Sequence, residues 1–144
     1  MYIHAVGDRC FDGMNVSFPR FAIADVDHDT NDEIILAMTV GDDEYYGYLV
    51  LKSADGTVWG YEVFYRAMLS LKADGTFSFS SGAADNGFGY LNPEGNDSSL
   101  VSIAASESEH DDVLYYLKGE KVTEEVFGNA MDAQEQKPDA YGMN

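Results

Sequence analysis

The sequence predicts a mainly β protein, of the α+β type, in which an antiparallel sheet meander of about seven to nine strands is followed by one C-terminal helix. The prediction rests on apolar runs that are short, on two Asp-Gly pairs that interrupt them at 55–56 and 74–75, and on a single helical pattern near the end of the chain. Short apolar runs separated by turn residues are typical of antiparallel sheets.

The predicted strands are short runs with either a continuous or an alternating apolar pattern. Residues 34–38 form a continuous apolar run, which is the pattern of a strand buried on both faces. Within residues 58–65 the side chains at positions 59, 61, 63 and 65 fall on one apolar face with period two, and Phe77 and Phe79 alternate with polar residues as in a half-buried strand. Further β-rich runs predict strands at 21–24, 45–51, 100–103 and 113–117.

The two Asp-Gly pairs lie in similar segments, 51–57 and 71–76. Asp-Gly supplies the positive φ that a tight hairpin needs, so both pairs are predicted to be hairpin turns. An internal duplication and convergent turn chemistry explain the similarity equally well.

The helix is predicted to begin after Thr123 and to end before Pro138. Thr123 can accept a hydrogen bond from the first turn, where Glu124 and Glu125 also interact favourably with the helix dipole. The chain is therefore predicted to form one β-rich domain over residues 1–136, followed by a flexible tail over residues 137–144.

The composition is strongly acidic: 26 Asp and Glu against 8 Lys and Arg give a net charge of −18 in 144 residues. Binding to nucleic acid or to an anionic membrane surface needs clustered basic residues, so both are excluded as partners. No run approaches the about 20 apolar residues of a membrane-spanning helix, which argues against membrane insertion. Strong like charge favours a monomer. Cys10 is the single cysteine, so no intramolecular disulfide can form.

The most specific pattern is the acidic segment between the first two predicted strands. Asp25, Asp27, Asp29 and Glu33 stand at positions 1, 3, 5 and 9 of this segment. A curled loop can turn these side chains toward one centre, where the backbone carbonyl of Asn31 adds another oxygen. Ca²⁺ prefers about six to eight hard oxygen ligands, so the sequence predicts a calcium site with these residues as ligands.

Two neighbouring positions limit this prediction. Asp32, at position 8, is predicted to point away from the centre because side chains alternate along an extended chain. Leu36 stands at position 12, where an EF-hand has an acid, and strands rather than helices are predicted on both sides. The segment is therefore predicted to be a calcium loop of a kind other than an EF-hand.

The loop resembles the calcium loop of FG-GAP repeats, in which acids occupy the same positions between two strands. A closer resemblance is to uncharacterised domains of cell-surface and secreted lipoproteins from Gram-positive gut bacteria, carried by residues 21–27, 81–87 and 115–125. The resemblance implies a calcium-binding module outside the cell. His28 and Thr30 stand where such loops usually have Gly, which predicts a distorted loop or a weakened affinity.

The favoured functional prediction is a non-catalytic, calcium-binding domain, extracellular or at the cell surface, that binds a protein or glycan or serves as a structural module. Two alternatives stay open: an acidic cytosolic inhibitor or nucleic-acid mimic, favoured by the charge alone, and a hydrolase that uses a pair of carboxylates. The start of the sequence lacks the pattern of a signal peptide, so the chain is expected to be either cytosolic or without its export signal.

Other candidate residues carry weaker signals. HExxH, GxSxG and CxxC motifs are absent from the sequence, so the chain is predicted not to be an enzyme. Residues 110–112 stand near Ser106 and Ser108 and could form a catalytic cluster, but a polar loop between two strands is the favoured interpretation. Several aromatic side chains could line a carbohydrate-binding face or simply pair across an ordinary sheet. They are Tyr45, Tyr46, Tyr48, Trp59, Tyr61 and Tyr65.

Overall fold

A computed structural model describes residues 3–4, 15–95 and 97–142 of the chain. Over these residues the chain forms ten strands, a short 3₁₀ helix at Tyr65–Ala67 and one α-helix. The strands are β1 Ile3–His4, β2 Val16–Ala24, β3 Glu33–Val40, β4 Asp43–Ala54, β5 Thr57–Phe64, β6 Phe77–Ser80, β7 Asn86–Glu94, β8 Asp97–Glu109, β9 Asp112–Leu117 and β10 Glu120–Val122, and the helix is α1 Glu124–Glu135.

The described strands form two five-stranded sheets, with orders β1-β5-β4-β3-β2 and β10-β9-β8-β7-β6. Consecutive strands from β2 to β5 and from β6 to β10 pair antiparallel, and the two-residue β1 adds to β5 in parallel. The predicted mainly β class, with antiparallel strands and a C-terminal helix, is confirmed. The meander is divided into two consecutive sheets, a division that the sequence pattern does not predict.

The main hydrophobic core contains residues from both sheets. Ile35 of β3 and Val50 of β4 belong to the same buried cluster as Phe77 of β6 and Leu91 of β7. Ile34, on the opposite face of β3 from Ile35, is 42% exposed. The prediction that residues 34–38 are buried on both faces is therefore wrong at Ile34, because the outer face of the first sheet is open at that point.

Strand β2 lies at the edge of the first sheet. Its pairing with β3 shifts register between Ser17 and Arg20, and Pro19 lies within this irregularity. Proline cannot donate a backbone hydrogen bond, so it is tolerated in a sheet mainly at an edge or at a bulge. The outermost part of β2 therefore departs from a regular ladder.

The two Asp-Gly turns have different roles. Asp55-Gly56 closes the β4–β5 hairpin with φ values of 53° and 76°, as predicted. At Asp74-Gly75 the chain also turns tightly, with the N–H of Lys72 donating to the carbonyl of Thr76 at 2.8 Å. The described residues just before this second turn form no strand of either sheet, so it does not close a hairpin of the predicted kind.

The helix begins where the sequence predicts. The Thr123 hydroxyl accepts a hydrogen bond from the Val126 N–H at 3.3 Å, and Glu124 and Glu125 lie in the first turn. A short strand, β10, lies between β9 and α1 and was not predicted from the sequence. At 12 residues α1 is too short to cross a membrane, and no other helix in the described part of the chain could do so.

Residues that follow the helix pack against the second Asp-Gly turn. The Ala140 N–H donates to the carbonyl of Leu71 at 2.9 Å, and Ala140 is 1% exposed. Asp139 forms an ion pair with the buried Lys72 at 2.7 Å. A buried ammonium and a backbone carbonyl of the turn thus take their partners from this stretch, and the flexibility of residues 137–144 stays a prediction.

We expect Thr123→Ala to lower the free energy of unfolding by about 1 kcal/mol, because the N–H of Val126 loses its acceptor in the first turn of α1. Urea denaturation followed by circular dichroism measures this change. Ser102→Ala, which removes an exposed hydroxyl from β8, is the control and should change stability by less than about 0.5 kcal/mol. Equal losses in the two variants would contradict the capping role.

Candidate metal centre

The acidic loop joins β2 to β3 and brings four carboxylates together. One oxygen from each of Asp25, Asp27, Asp29 and Glu33 lies within 4.8 Å of the others. These are the four acidic residues that the sequence predicts as ligands. Their convergence places several hard oxygen atoms around one point of the loop.

The loop is curled by hydrogen bonds between its own carboxylates and backbone. The N–H groups of Asp29 and Thr30 donate to the two oxygens of Asp25, at 3.1 and 3.0 Å. The Asn31 N–H donates to the Asp29 carboxylate at 2.8 Å. Such local bonds hold a polar loop in a turn without help from a sheet ladder. The carboxylates are therefore positioned by the loop's own backbone.

His28 and Thr30 both adopt the left-handed backbone conformation, with φ values of 58° and 79°. These are the two positions where FG-GAP-like loops usually have Gly. This conformation costs a β-branched residue about 1–2 kcal/mol of conformational free energy, so other contacts of the loop must offset that cost at Thr30. Both residues thus keep the curl that glycine would allow more easily.

Glu33 is the most deeply placed of the four acids, at 2% exposed. Its Oε2 accepts a hydrogen bond from the Val26 N–H at 3.0 Å. Burial, together with the negative charge of Asp27, raises the pKa of Glu33 to about 7, although the Lys52 ammonium and the Val26 N–H act in the opposite direction. The loss of hydration therefore destabilises the charged form of Glu33 by more than Lys52 and the Val26 N–H stabilise it.

Lys52 of β4 extends its ammonium into the centre. Its Nζ forms an ion pair with Asp27, lies 2.6 Å from an oxygen of Asp29, and lies 3.5 Å from Oε1 of Glu33. Burial acts to lower the pKa of Lys52, but the hydrogen bonds that its ammonium donates to Asp27 and Asp29, together with the negative charges of Asp27 and Glu33, outweigh burial and raise this pKa. The same contact with Lys52, together with the Asn31 N–H, lowers the pKa of Asp29.

Sequence reasoning missed Lys52, although one signal points to it. Tyr48 and Val50 lie on the core side of β4, and the period of two places Lys52 on the same side. A lysine at an inward-facing position of a strand needs a buried counter-charge. The acidic loop is the largest local source of negative charge in the sequence. An ion pair between Lys52 and this loop could therefore have been predicted.

Asp32 and Asn31, the other two loop positions that the sequence analysis considered, have different surroundings. Asp32 is exposed and is not part of the cluster of four, and the direction of its side chain stays a prediction. Asn31 contributes its backbone and side-chain N–H groups to the Asp29 carboxylate, at 2.8 and 3.3 Å. A role for the Asn31 carbonyl as a ligand stays a prediction.

The loop is fastened to its surroundings from several sides. The Val26 carbonyl accepts a hydrogen bond from the Leu91 N–H of β7 at 2.8 Å. The His28 ring stacks on the Tyr90 ring, with centroids 4.3 Å apart. Gly75 of the second Asp-Gly turn packs so closely that a Cβ there would lie 1.9 Å from the carbonyl oxygen of Asp25. The centre therefore lies where the first sheet meets β7 and this turn.

The remaining candidate residues do not form a second centre in the part of the chain that is described. His110 lies in the β8–β9 turn, whereas the Ser106 hydroxyl donates to the carbonyl of Ala84 at 2.6 Å and Ser108 bonds to Asp85. The polar-loop interpretation of residues 110–112 agrees with these contacts. Cys10 lies outside the described residues.

The aromatic residues of β4 and β5 do not share one open face. Tyr61 belongs to the buried core, and Tyr48 and Trp59 pack against it. Tyr46 donates its hydroxyl to Glu62 at 2.9 Å, and the side chain of Tyr45 lies outside the described ones. Three of the proposed carbohydrate-binding aromatics thus serve the core, which favours the alternative of ordinary packing in a sheet.

No protein-family model, curated protein or solved structure matches this chain. Carboxylate oxygens are hard ligands that suit Ca²⁺, Mg²⁺ and Mn²⁺, while the Lys52 ammonium offers only donors. The four carboxylates therefore favour a positive charge between them, which either Lys52 or a bound cation can supply.

Proposed function

We propose that this chain is a non-catalytic calcium-binding domain, with Asp25, Asp27, Asp29 and Glu33 as side-chain ligands and the Asn31 carbonyl as a further one. The observation that carries the proposal is the convergence of the four carboxylates within 4.8 Å on one curled loop. Water would complete the shell at about 2.3–2.6 Å from the ion.

The charge balance of the loop supports a divalent cation. Four carboxylates converge, and the Lys52 ammonium supplies a single positive charge among them. One positive charge compensates the repulsion among four carboxylates only in part, and a cation of charge two would compensate more of it. Oxygen-only ligation favours Ca²⁺ over Zn²⁺, and the irregular loop suits Ca²⁺ better than the strict octahedron of Mg²⁺.

The expected affinity is weak. The Lys52 ammonium already contacts three of the four carboxylates, and this opposes tight binding of a second cation. Extracellular calcium modules bind with dissociation constants of about 10⁻⁴–10⁻³ M, a range that is useful only where calcium is millimolar. We therefore propose that the domain acts outside the cell or at its surface, as the resemblance to lipoprotein domains implies.

The position of the loop favours a structural contribution of the bound ion. Asp25 packs against Gly75, and the neighbouring Val26 bonds to Leu91 of the second sheet. An ion that holds the loop would therefore also hold the junction of the two sheets. A rigid junction suits a module that presents a surface to a protein or glycan, and this use of the domain is part of the proposal.

Calcium is expected to raise the melting temperature. A ligand at about 100 times its dissociation constant adds about 2.7 kcal/mol to the free energy of unfolding. For a chain of this size that corresponds to roughly 8 °C. Asp27→Asn should abolish the shift, because Asp27 is one of the converging ligands, whereas Asp32→Asn should keep it. Differential scanning fluorimetry in a chelator and in excess calcium measures both.

Two outcomes would refute the proposal. One is the absence of a calcium-dependent shift in the wild type at about 10 mM Ca²⁺, which exceeds the range of extracellular sites. The other is an equal loss of the shift in Asp27→Asn and Asp32→Asn, since general charge screening rather than a defined site would then explain it. Magnesium at the same concentration controls for ionic strength.

A further inference from the structure

Lys52 is the one lysine that the described contacts place inside the acidic centre, and its side chain is 16% exposed. It reaches the loop from β4, where it pairs with Trp59 across the β4–β5 ladder. Asp27, its closest partner, has a side chain that is 4% exposed. The sheet thus places the ammonium among the carboxylates of the loop.

The ammonium uses the same oxygens that a metal ion would need. It contacts Asp27, Asp29 and Glu33, three of the four converging carboxylates. A calcium ion that takes these oxygens at about 2.3–2.6 Å would lie within a few ångströms of the ammonium. Two cations at that distance in a poorly hydrated site repel strongly, so the two cannot share the centre.

We propose that Lys52 is the built-in counter-ion of the loop, that it must leave for an external cation to bind, and that it thereby sets the affinity of the site. This inference rests on the proposed calcium function and concerns a residue that tunes the same centre. With Lys52 in place the loop is folded and partly neutralised without metal. Binding is then an exchange of a tethered cation for a free one.

The exchange of Lys52 for calcium explains both the stability of the metal-free loop and its weak affinity for calcium. Without its counter-ion the loop would leave buried carboxylates unpaired, which is strongly destabilising. With the counter-ion the metal must first break the ion pairs of Lys52, which weakens its binding. Lys52 therefore stabilises the metal-free protein and lowers calcium affinity through the same contacts.

Lys52→Met tests the proposal, because methionine keeps much of the length of the side chain without its charge. Calcium titrated into the full chain by calorimetry is expected to bind at least about tenfold more tightly than to the wild type. In a chelator the variant should melt several degrees lower. Lys121→Met, at an exposed position of β10, is the matched control and should change neither value.

A second measurement uses the wild type and so does not depend on the folding of the variant. Lys52 should be acylated slowly by an acetyl N-hydroxysuccinimide ester in a chelator, because carboxylates surround its ammonium. Saturating calcium should accelerate this acylation at least about fivefold, since the displaced amine becomes accessible. Lys118, exposed at the β9–β10 turn, should react at the same rate under both conditions.

The outcomes separate this inference from the proposed function. If the wild type binds calcium but Lys52→Met binds it no more tightly, or if calcium leaves the acylation of Lys52 unchanged, Lys52 is not a competitor and the inference is overturned. If neither protein binds calcium, the proposed function itself fails. A variant that is unfolded in a chelator but folds in calcium supports the exchange, and one that is unfolded in both leaves the decision to the acylation rates.

Discussion

Gly75→Ala is expected to lower the free energy of unfolding by about 3 kcal/mol or more. Gly75 has a φ of +85°, which costs an L residue about 1–2 kcal/mol. The added Cβ would also lie 1.9 Å from the carbonyl oxygen of Asp25. Because that oxygen belongs to the backbone, the turn and the acidic loop must move apart. Chemical denaturation followed by circular dichroism measures the loss.

Gly56→Ala is the matched control for this prediction. Gly56 occupies the other Asp-Gly turn with a φ of +76°, but a Cβ there would meet nothing within 4 Å. We expect it to cost only the conformational part, about 1–2 kcal/mol. The difference between the two variants therefore reports the contact between Gly75 and the loop. Equal losses would show that this contact contributes nothing to stability.

Glu33→Gln is expected to stabilise the metal-free protein at alkaline pH. The pKa of Glu33 is raised from 4.5 to about 7 in the folded chain, so between these values the folded state binds more protons than the unfolded state. The stability of the wild type must therefore fall as pH rises through this window. Each pKa unit corresponds to about 1.4 kcal/mol, so the fall from this residue is roughly 3 kcal/mol.

Urea denaturation in a chelator at several pH values between about 4 and 8 tests the sign and the size. Glutamine cannot ionise, so its advantage over the wild type should be small at the acidic end and reach roughly 3 kcal/mol at the alkaline end. Asp32→Asn, which removes an exposed acid one residue away, should follow the wild-type pH dependence. An advantage of Glu33→Gln that does not change with pH would contradict the burial of the carboxylate.

Local sequence patterns predicted the parts of this structure that depend on neighbouring residues. The Asp55-Gly56 hairpin and the Thr123 cap are set by turn and capping chemistry within a few residues, and both are confirmed. The convergence of Asp25, Asp27 and Asp29 follows from their spacing in one short loop. In each case the determining contacts lie close together in sequence.

The parts that were not predicted depend on contacts between distant segments. Lys52 meets Asp27 across 25 positions of the chain, and Lys72 meets Asp139 across 67. Local propensity carries little information on such pairs, because they depend on how the sheets pack. The Asp74-Gly75 turn also depends on a distant contact. Its sequence is typical of a hairpin turn, but in the structure the missing Cβ of Gly75 allows the acidic loop to pack closely against it.

The irregular edge of β2 has a consequence for the behaviour of the protein at high concentration. An open strand edge is a template on which another chain can add a strand, and repeated addition leads to cross-β aggregates. Pro19 removes a donor from this edge, and the register shift between Ser17 and Arg20 bends the strand locally. A net charge of −18 adds repulsion between copies, so addition of a second chain along the described part of β2 is disfavoured.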